Sequence, residues 1–162
     1  GYHSDYLYYE EQEKKHDVIF IGGRRMDGER KLLLDIAREN YNFAEYGPPN
    51  PVWGHEARRI MNSSRVLLDV APAESNIVGE RFVQYYGSGG NIVTKSRPCI
   101  DQYGEKDRVF KYGDGVGVCE AIDKAMGATP AQRPDAYKLS YFYQIPKIVI
   151  PHFSKFGATP IF

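Results

Sequence analysis

Glycine and arginine residues that follow a short apolar run are the first candidates for chemistry in this sequence. The run 17–21 (Asp-Val-Ile-Phe-Ile) leads directly into Gly22, Gly23, Arg24 and Arg25. Glycine lets a ligand approach the backbone closely, and arginine offers paired hydrogen bonds to a phosphate. The segment lacks the Gly-x-Gly-x-x-Gly fingerprint and the Gly-Lys-Ser/Thr phosphate loop, and alone it is typical of a turn with solvated charges. Its position after the apolar run favours an anion site.

A polar loop that enters a helical pattern is the second candidate. The N–H groups in the first turn of a helix lack partners within the helix, so they can bind an anion. The spacing of Val78, Phe82 and Tyr85 predicts that another face of this helix is buried. The two interpretations are compatible because they concern different surfaces. The polar candidates of this region are Ser75, Asn76, Glu80, Arg81 and Gln84.

Apolar runs alternate with amphipathic segments and would position both candidates. The predicted strands are 17–21, 42–46, 65–70, 91–94 and 108–110, and the predicted helices are 29–40, 55–62, 78–86 and 116–126. This alternation predicts an α/β fold, with a doubly wound, mainly parallel Rossmann-like sheet and helices on both faces. Ligands of such sheets bind beyond the carboxyl ends of the strands. The loops to examine are therefore 22–27, 46–49, 71–80, 95–101 and 112–117.

Size and composition bound the class of protein. A chain of 162 residues with 42% apolar and 26% charged residues is typical of one soluble domain, and it excludes two catalytic domains of ordinary size. Its 21 basic and 21 acidic residues cancel to a formal charge of 0, so charge does not indicate nucleic acid or anionic membranes as partners. Any anion site must be local.

Hydropathy and cysteine usage predict a cytoplasmic protein without a membrane span. The longest apolar runs fall far short of the roughly 20 residues that cross a bilayer. Cys99 and Cys119 have no further ligand at metal-binding spacing, so neither a zinc site nor a disulfide framework is indicated. A reducing compartment is therefore expected.

The chain divides into three predicted parts. Residues 1–16, rich in tyrosine and charge, form an arm or linker, and residues 17–127 form the Rossmann-like domain. Residues 128–162 contain a helix over 135–144 and a proline-rich tail. The arm and the tail segment 145–162 are candidates for contact with another domain or subunit.

The order of these motifs resembles the C-terminal half of glycosyltransferases with the GT-B architecture. It is most similar to the spore-maturation-type family with a "glycosyl transferases group 1" domain, over roughly residues 17–126. The motifs that carry the resemblance are Asp17 to Gly23, Tyr46-Gly47, Glu56 to Ile60, Asn62 to Asp69, Arg81-Phe82 and Gly89 to Thr94.

The resemblance implies that this chain binds a nucleotide-diphosphate sugar for hexosyl transfer. Gly22, Gly23 and Arg24 or Arg25 would meet the diphosphate, together with amides of the helix that begins near Val78. Family members carry in this helix a glutamate that holds the ribose hydroxyls. Here that position is Gln84, whose neutral amide bonds a diol more weakly than a carboxylate does. The remaining donor contacts on this reading are Tyr46, Ser75, Asn76, Glu80 and Arg81.

The resemblance also implies what lies outside this chain. The sequence has no Asp-x-Asp pair of the kind that holds a divalent metal in the other large glycosyltransferase fold, so a metal-independent site with no cofactor is expected. The nucleotide sugar is then the donor substrate. GT-B enzymes usually carry the catalytic base in the N-terminal half, so the base is unassigned here and an N-terminal half or another subunit is the expected partner.

Two alternatives remain open from the sequence. Small flavodoxin-like nucleoside deoxyribosyltransferases also place a Gly/Arg loop after the first strand and an acidic helix later, and Glu80 would be the nucleophile on that reading. The other alternative is a non-catalytic binding or assembly module in which a glycosyltransferase fold persists with a decayed site, as Gln84 and the arm and tail suggest.

Overall fold

The computed structural model describes residues 9–23, 28–71, 78–101, 103–113 and 115–129. The strands are β1 (His16–Ile21), β2 (Phe43–Tyr46), β3 (Ser64–Asp69), β4 (Asn91–Lys95) and β5 (Val109–Tyr112). The α-helices are α1 (Gly28–Asn40), α2 (Gly54–Asn62), α3 (Glu80–Gly87) and α4 (Val118–Gly127). Short 3-10 helices span Pro98–Ile100 and Glu105–Asp107 between β4 and β5.

The five strands form one parallel sheet in the order β2-β1-β3-β4-β5. Helices cover both faces of this sheet, which makes its strands apolar along most of their length rather than alternating. In β3, Val66, Leu67 and Leu68 are all fully buried. The predicted doubly wound α/β fold is therefore confirmed.

Each face of the sheet has its own hydrophobic core. Residues of β1 alternate between the two cores, since successive side chains of a strand point to opposite faces. Val18 and Phe20 pack with α1 and α4, whereas Ile19 and Ile21 pack with α2 and α3. The helix after β1 and the helix after β3 consequently lie on opposite faces.

Two helices begin later than their apolar spacing predicts. The structure starts α3 at Glu80 rather than Val78, and α4 at Val118 rather than Val116. In both cases the preceding glycine, Gly79 or Gly117, is extended, with ψ near 155°. Extended backbone at the capping position ends the run of helical residues, and hydrophobic spacing does not report it.

Other segments differ by one or two residues or fall outside the described residues. Strand β1 begins one residue earlier than predicted, at His16. Strand β5 spans Val109–Tyr112 rather than 108–110, and it starts after Arg108 because Arg108 adopts a left-handed conformation with φ of 59°. The predicted helix 135–144 and the tail lie outside the described residues. No described helix has the length and apolarity needed to cross a bilayer.

Residues 9–15, predicted to belong to an arm or linker, bond to the body of the domain. Arg58 of α2 forms an ion pair with Glu10 at 3.2 Å. Lys14 donates to the carbonyl oxygen of Asn62 at 2.6 Å, and the Lys15 amide donates to the carbonyl oxygen of Ser63 at 2.7 Å. This segment is thus held against the end of α2.

Candidate functional site

The carboxyl edge of the sheet has a topological switch point between β1 and β3. The chain leaves β1 toward α1 on one face and leaves β3 toward α3 on the other, so the two connections diverge. In open parallel sheets this divergence leaves a crevice in which ligands bind. The residues that border it follow Ile21 and Asp69.

The first border of the crevice is the turn after β1. The Gly22 amide donates to the carbonyl oxygen of Tyr46 at 2.8 Å, which joins this turn to the end of β2. A Cβ atom at Gly47 would clash with the Gly22 carbonyl oxygen. The backbone segments at Gly22 and Gly47 therefore pass too closely for any side chain at position 47. Gly23 is exposed, and a Cβ atom on it would meet no atom of the described residues within 4 Å. Gly22 and Gly47 therefore fix the conformation of the turn, and the backbone of Gly23 is exposed to solvent.

Arg30, in the first turn of α1, bridges the loops after β1 and β3. Its Nη1 donates to the carbonyl oxygen of Gly23 at 3.2 Å, and its Nη2 donates to that of Val70 at 2.9 Å. These bonds hold the two sides of the crevice at a fixed separation. The sequence did not single out Arg30; its nearness to the glycine turn was the available signal.

A buried polar cluster occupies the ends of β3 and β4. Asp69 Oδ2 accepts from Thr94 Oγ1 at 2.8 Å and from Arg97 Nη2 at 3.1 Å. Burial raises the pKa of Asp69, and the hydrogen bond from Thr94 and the charge of Arg97 oppose that rise. The loop 95–101 was flagged by its position, but nothing in the sequence distinguished Arg97 from a solvated arginine.

The surrounding charges at this edge leave a small positive excess. Lys95 forms an ion pair with Glu29 at 2.5 Å, on the same side of the sheet edge as Arg30. The described cations at this edge are Arg30, Arg81, Lys95, Arg97 and Lys111, and the described carboxylates are Glu29, Asp69, Glu80 and Asp101. Five positive charges against four negative ones among the described residues favour an anion at this edge, although the whole chain has no net charge.

Helix α3 is anchored to the end of β1 and begins at the same edge. The Ile21 amide donates to Tyr85 Oη at 2.8 Å, and this hydroxyl in turn lies 3.5 Å from the Ile21 carbonyl oxygen. Burial raises the pKa of Tyr85, so its phenol stays protonated over a wider range of pH than an exposed one. Gly79 supplies no side-chain cap to the first turn of α3.

Three predicted donor-binding residues lie together on α3. Arg81 Nη1 donates to Gln84 Oε1 at 2.7 Å, and Gln84 Nε2 donates to Glu80 Oε1 at 3.1 Å. The amide of Gln84 is thus engaged at both ends by its own helix. A ligand hydroxyl at this position would have to share or replace these bonds.

The other predicted site residues are placed as follows. Tyr46 contributes its backbone carbonyl to the Gly22 turn, but its hydroxyl lies 3.3 Å from Nε2 of His16, at the start of β1. Its side chain therefore points back along the sheet. Arg24, Arg25, Ser75 and Asn76 lie outside the described residues. Within the described ranges, no group of three or more His, Cys, Asp or Glu side chains could hold a metal ion.

Comparison with known proteins finds a likeness to a solved structure. No protein-family model matches the chain, and no curated protein sequence matches it significantly. A solved structure that does match is the crystal structure of AviGT4, a glycosyltransferase involved in avilamycin A biosynthesis, with a TM-score of 0.55 and 19% sequence identity. The fold is glycosyltransferase-like. The match covers 90% of this chain and 53% of AviGT4, so this chain spans about half the length of that enzyme.

Proposed function

We propose that this chain is the donor-binding domain of a glycosyltransferase and holds a nucleotide-diphosphate sugar as its substrate. The observation that carries the proposal is the crevice between β1 and β3, where Arg30 bridges the open backbone of Gly23 and the carbonyl of Val70. The crevice lies at a topological switch point of the sheet, which is where α/β proteins bind nucleotides. The glycosyltransferase-like fold supports the same class of activity.

The proposed role in catalysis is stabilisation of the leaving diphosphate. Negative charge builds on the diphosphate as the bond to the sugar breaks, and fixed cations and amide dipoles lower the free energy of that transition state. Gly23 and the first turn of α3 would supply backbone amides, and Arg24 and Arg25 would supply charge. The small positive excess among the described charges at this edge favours the same ligand.

Thermal unfolding with a panel of nucleoside diphosphates tests this function. A ligand at 100 times its Kd stabilises the folded state by about 2.7 kcal/mol, which corresponds to roughly 5–10 °C in Tm for a chain of this size. We expect one nucleotide to give such a shift, and Arg24→Gln with Arg25→Gln to remove most of it. Arg65→Gln is the matched control, because Arg65 is exposed and pairs with Asp17 at the opposite edge of the sheet. The absence of a shift with every nucleotide at millimolar concentration would contradict the proposal.

The position of Gln84 gives a second test of the same function. In Gln84→Glu the new carboxylate still accepts from Arg81 and becomes a stronger acceptor for ribose hydroxyls. It also faces Glu80 one turn away, a like-charge pair that costs only about 0.2–0.5 kcal/mol. We expect nucleotide affinity to rise in this variant while Tm without ligand changes little.

The acceptor side of the proposed enzyme would come from another domain or subunit. This chain spans about half of AviGT4, and residues 1–16 and 145–162 are the proposed points of contact. Native mass measurement of the assembled protein from its source tests this. A mass larger than 18.5 kDa, with the excess explained by a second domain or subunit, is the expected result.

A nucleoside deoxyribosyltransferase-like activity is the second candidate. The order β2-β1-β3-β4-β5 is also that of flavodoxin-like proteins, and Glu80 stands at the start of α3 near the crevice. Release of free base from a nucleoside, lost in Glu80→Gln, would favour this candidate over nucleotide-sugar binding.

A further inference from the structure

Arg30 of α1 bonds to backbone oxygens on both sides of the crevice. Its Nη1 donates to the Gly23 carbonyl oxygen at 3.2 Å, and its Nη2 donates to the Val70 carbonyl oxygen at 2.9 Å. The two acceptors follow different strands, β1 and β3. One half-buried side chain thus fixes the orientation of a peptide group in each connection.

The bond to Val70 determines where the next amide points. The peptide group between Val70 and Ala71 is trans, so its C=O and N–H lie in one plane and point in opposite directions. Since the oxygen points toward Arg30 on α1, the Ala71 N–H points away from α1. The connections after β1 and β3 diverge here, so this direction leads into the crevice, toward the face that α3 covers.

The Ala71 amide is also available to a ligand. It donates to no backbone oxygen of the described residues, and Ala71 is half-buried rather than enclosed. Pro72 follows and has no N–H, so this amide is the only donor of the two peptide groups that flank Ala71. An amide held in a fixed direction at the carboxyl edge suits an oxyanion, because binding then requires no reorganisation of the donor.

The charge of Arg30 is partly balanced by a neighbouring carboxylate. Burial raises the pKa of Asp69, and the charge of Arg30 is one of the effects that oppose this rise. Both terminal nitrogens of Arg30 are bonded to protein oxygens. The geometry therefore favours a role for Arg30 in the arrangement of the backbone over a direct contact with the ligand.

We infer that Arg30 is a positioning residue, which turns the Ala71 amide into the crevice so that this amide donates to a phosphate oxygen of the ligand. The bridge needs the planar fork of arginine, since the single ammonium of lysine cannot hold the same two carbonyl oxygens in this geometry. The identity of the phosphate as part of a donor diphosphate rests on the proposed function; the role of Arg30 does not.

Selective isotope labelling makes this peptide group visible by nuclear magnetic resonance in the full chain. The dipeptide Val-Ala occurs once in the sequence, so labelling of valine carbonyl carbons and alanine nitrogens gives a single correlation between the two. Its carbon frequency reports the bond that Val70 accepts, and its proton frequency reports the bond that Ala71 donates. The probes are pyrophosphate and the diphosphates of uridine, guanosine and adenosine. We expect the Ala71 proton of the wild-type protein to shift and saturate with pyrophosphate.

Two substitutions of Arg30 separate positioning from direct charge. Arg30→Lys keeps the charge and loses the bridge, whereas Arg30→Met loses both. We expect both variants to change the Val70 carbon frequency in the free protein. Both should also weaken pyrophosphate binding by about tenfold to a hundredfold, the range for a hydrogen bond to a charged group.

Arg38→Lys is the matched control for Arg30→Lys. Arg38 lies in the last turn of the same helix and pairs with Glu45 at 3.1 Å. This change should leave the Val70–Ala71 correlation and the affinity unaltered. Wild-type affinity in Arg30→Lys would show that the charge of Arg30 suffices, which would overturn the inference.

The outcomes separate this inference from the proposed function. A saturating Ala71 shift with pyrophosphate, without a Tm shift from any nucleoside diphosphate, supports the role of Arg30 and contradicts the proposed function. A Tm shift with a nucleoside diphosphate that leaves the Ala71 proton unmoved overturns the inference and leaves the proposed function standing. Absence of binding by every probe overturns both. The Ala71 shift is measured in the wild-type protein, so this part of the test does not depend on how well the variants fold.

Discussion

Asp69 and Arg97 form a buried ion pair. If its partner is lost, Asp69 can become neutral by taking up a proton, whereas Arg97 stays charged. Burial raises the pKa of Asp69 above its ordinary value of 3.8, against the opposing effects of Thr94 and Arg97. A carboxyl with a raised pKa binds its proton more readily in the folded state than in the unfolded chain. Its burial therefore destabilises the fold as the pH rises through the raised pKa, and protonation relieves that cost as the pH falls. Arginine has no comparable route to neutrality.

Substitution of Arg97 should make stability depend on pH. In Arg97→Met the carboxylate of Asp69 stays buried without its cation, so we expect the free energy of unfolding to fall by about 3–5 kcal/mol near pH 8. The deficit relative to wild type should shrink toward pH 5, because Asp69 then takes up a proton. Urea unfolding at both pH values measures this, with the exposed Arg65→Met as control. A deficit of equal size at pH 5 and pH 8 would show that Asp69 does not titrate as described.

Two buried tyrosines differ in hydrogen bonding and should differ in the effect of losing the hydroxyl. Tyr85 Oη accepts from the Ile21 amide, whereas Tyr112 Oη is buried without a partner among the described residues. Tyr85→Phe leaves the amide unsatisfied and should cost about 1–3 kcal/mol of stability. Tyr112→Phe removes an unsatisfied group and should be neutral or stabilising. Paired urea unfolding curves measure both; equal losses would contradict the assignment of Tyr85 as the anchor of α3.

At the scale of the elements, the turn after β1 depends on one close approach between backbones. Gly47, which follows β2, passes against the carbonyl oxygen of Gly22, and the Gly22 amide binds Tyr46. The geometry of the crevice is therefore set by β2 as well as by β1 and β3. Only Gly23, of the two glycines after β1, has room for a side chain.

Alanine substitutions should distinguish Gly47, which the close backbone contact requires, from Gly23, which has room for a side chain. Gly47→Ala forces the backbone segments at Gly22 and Gly47 apart. The substitution should lower the free energy of unfolding by at least about 1–3 kcal/mol, the range for overpacked sites, and lower Tm. The methyl group of Gly23→Ala meets no atom of the described part of the chain within 4 Å, so Tm should be nearly unchanged. Thermal unfolding of both variants is the measurement. The same Tm in both variants would mean that the backbone segments at Gly47 and Gly22 can move apart without loss of stability.

For the whole molecule, the sheet order predicts where the fold is most resistant to local opening. Strands β1, β3 and β4 lie inside the sheet, and β2 and β5 are its outermost strands. Amides that open only with the whole domain exchange most slowly. Hydrogen exchange followed by mass spectrometry should therefore find the slowest exchange in the interior strands His16–Ile21, Ser64–Asp69 and Asn91–Lys95, and faster exchange in Phe43–Tyr46. Faster exchange in β1 than in β2 would contradict the order.

The sequence predicted most of the architecture because buried positions are occupied by apolar residues, whose spacing indicates the type of element. Strands buried on both faces are continuous apolar runs, so β1 and β3 were located to within one residue. The starts of α3 and α4 were misplaced by two residues, because the extended conformations of Gly79 and Gly117 leave no trace in hydrophobic spacing. Local backbone choices at helix ends are decided by the packing of neighbouring elements.

The sequence by itself determined the α/β class and the loops that lie at the carboxyl ends of the strands, since both follow from periodicity along the chain and from the polarity of parallel strands. Only the tertiary structure decided which charged residues lie there. Arg30 and Arg97 looked like any solvated arginine, yet one bridges Gly23 and Val70 and the other is buried against Asp69. Their partners lie 7, 40 and 28 residues away in sequence. Such pairings depend on which strands become neighbours, and the sheet order, not local sequence, sets that.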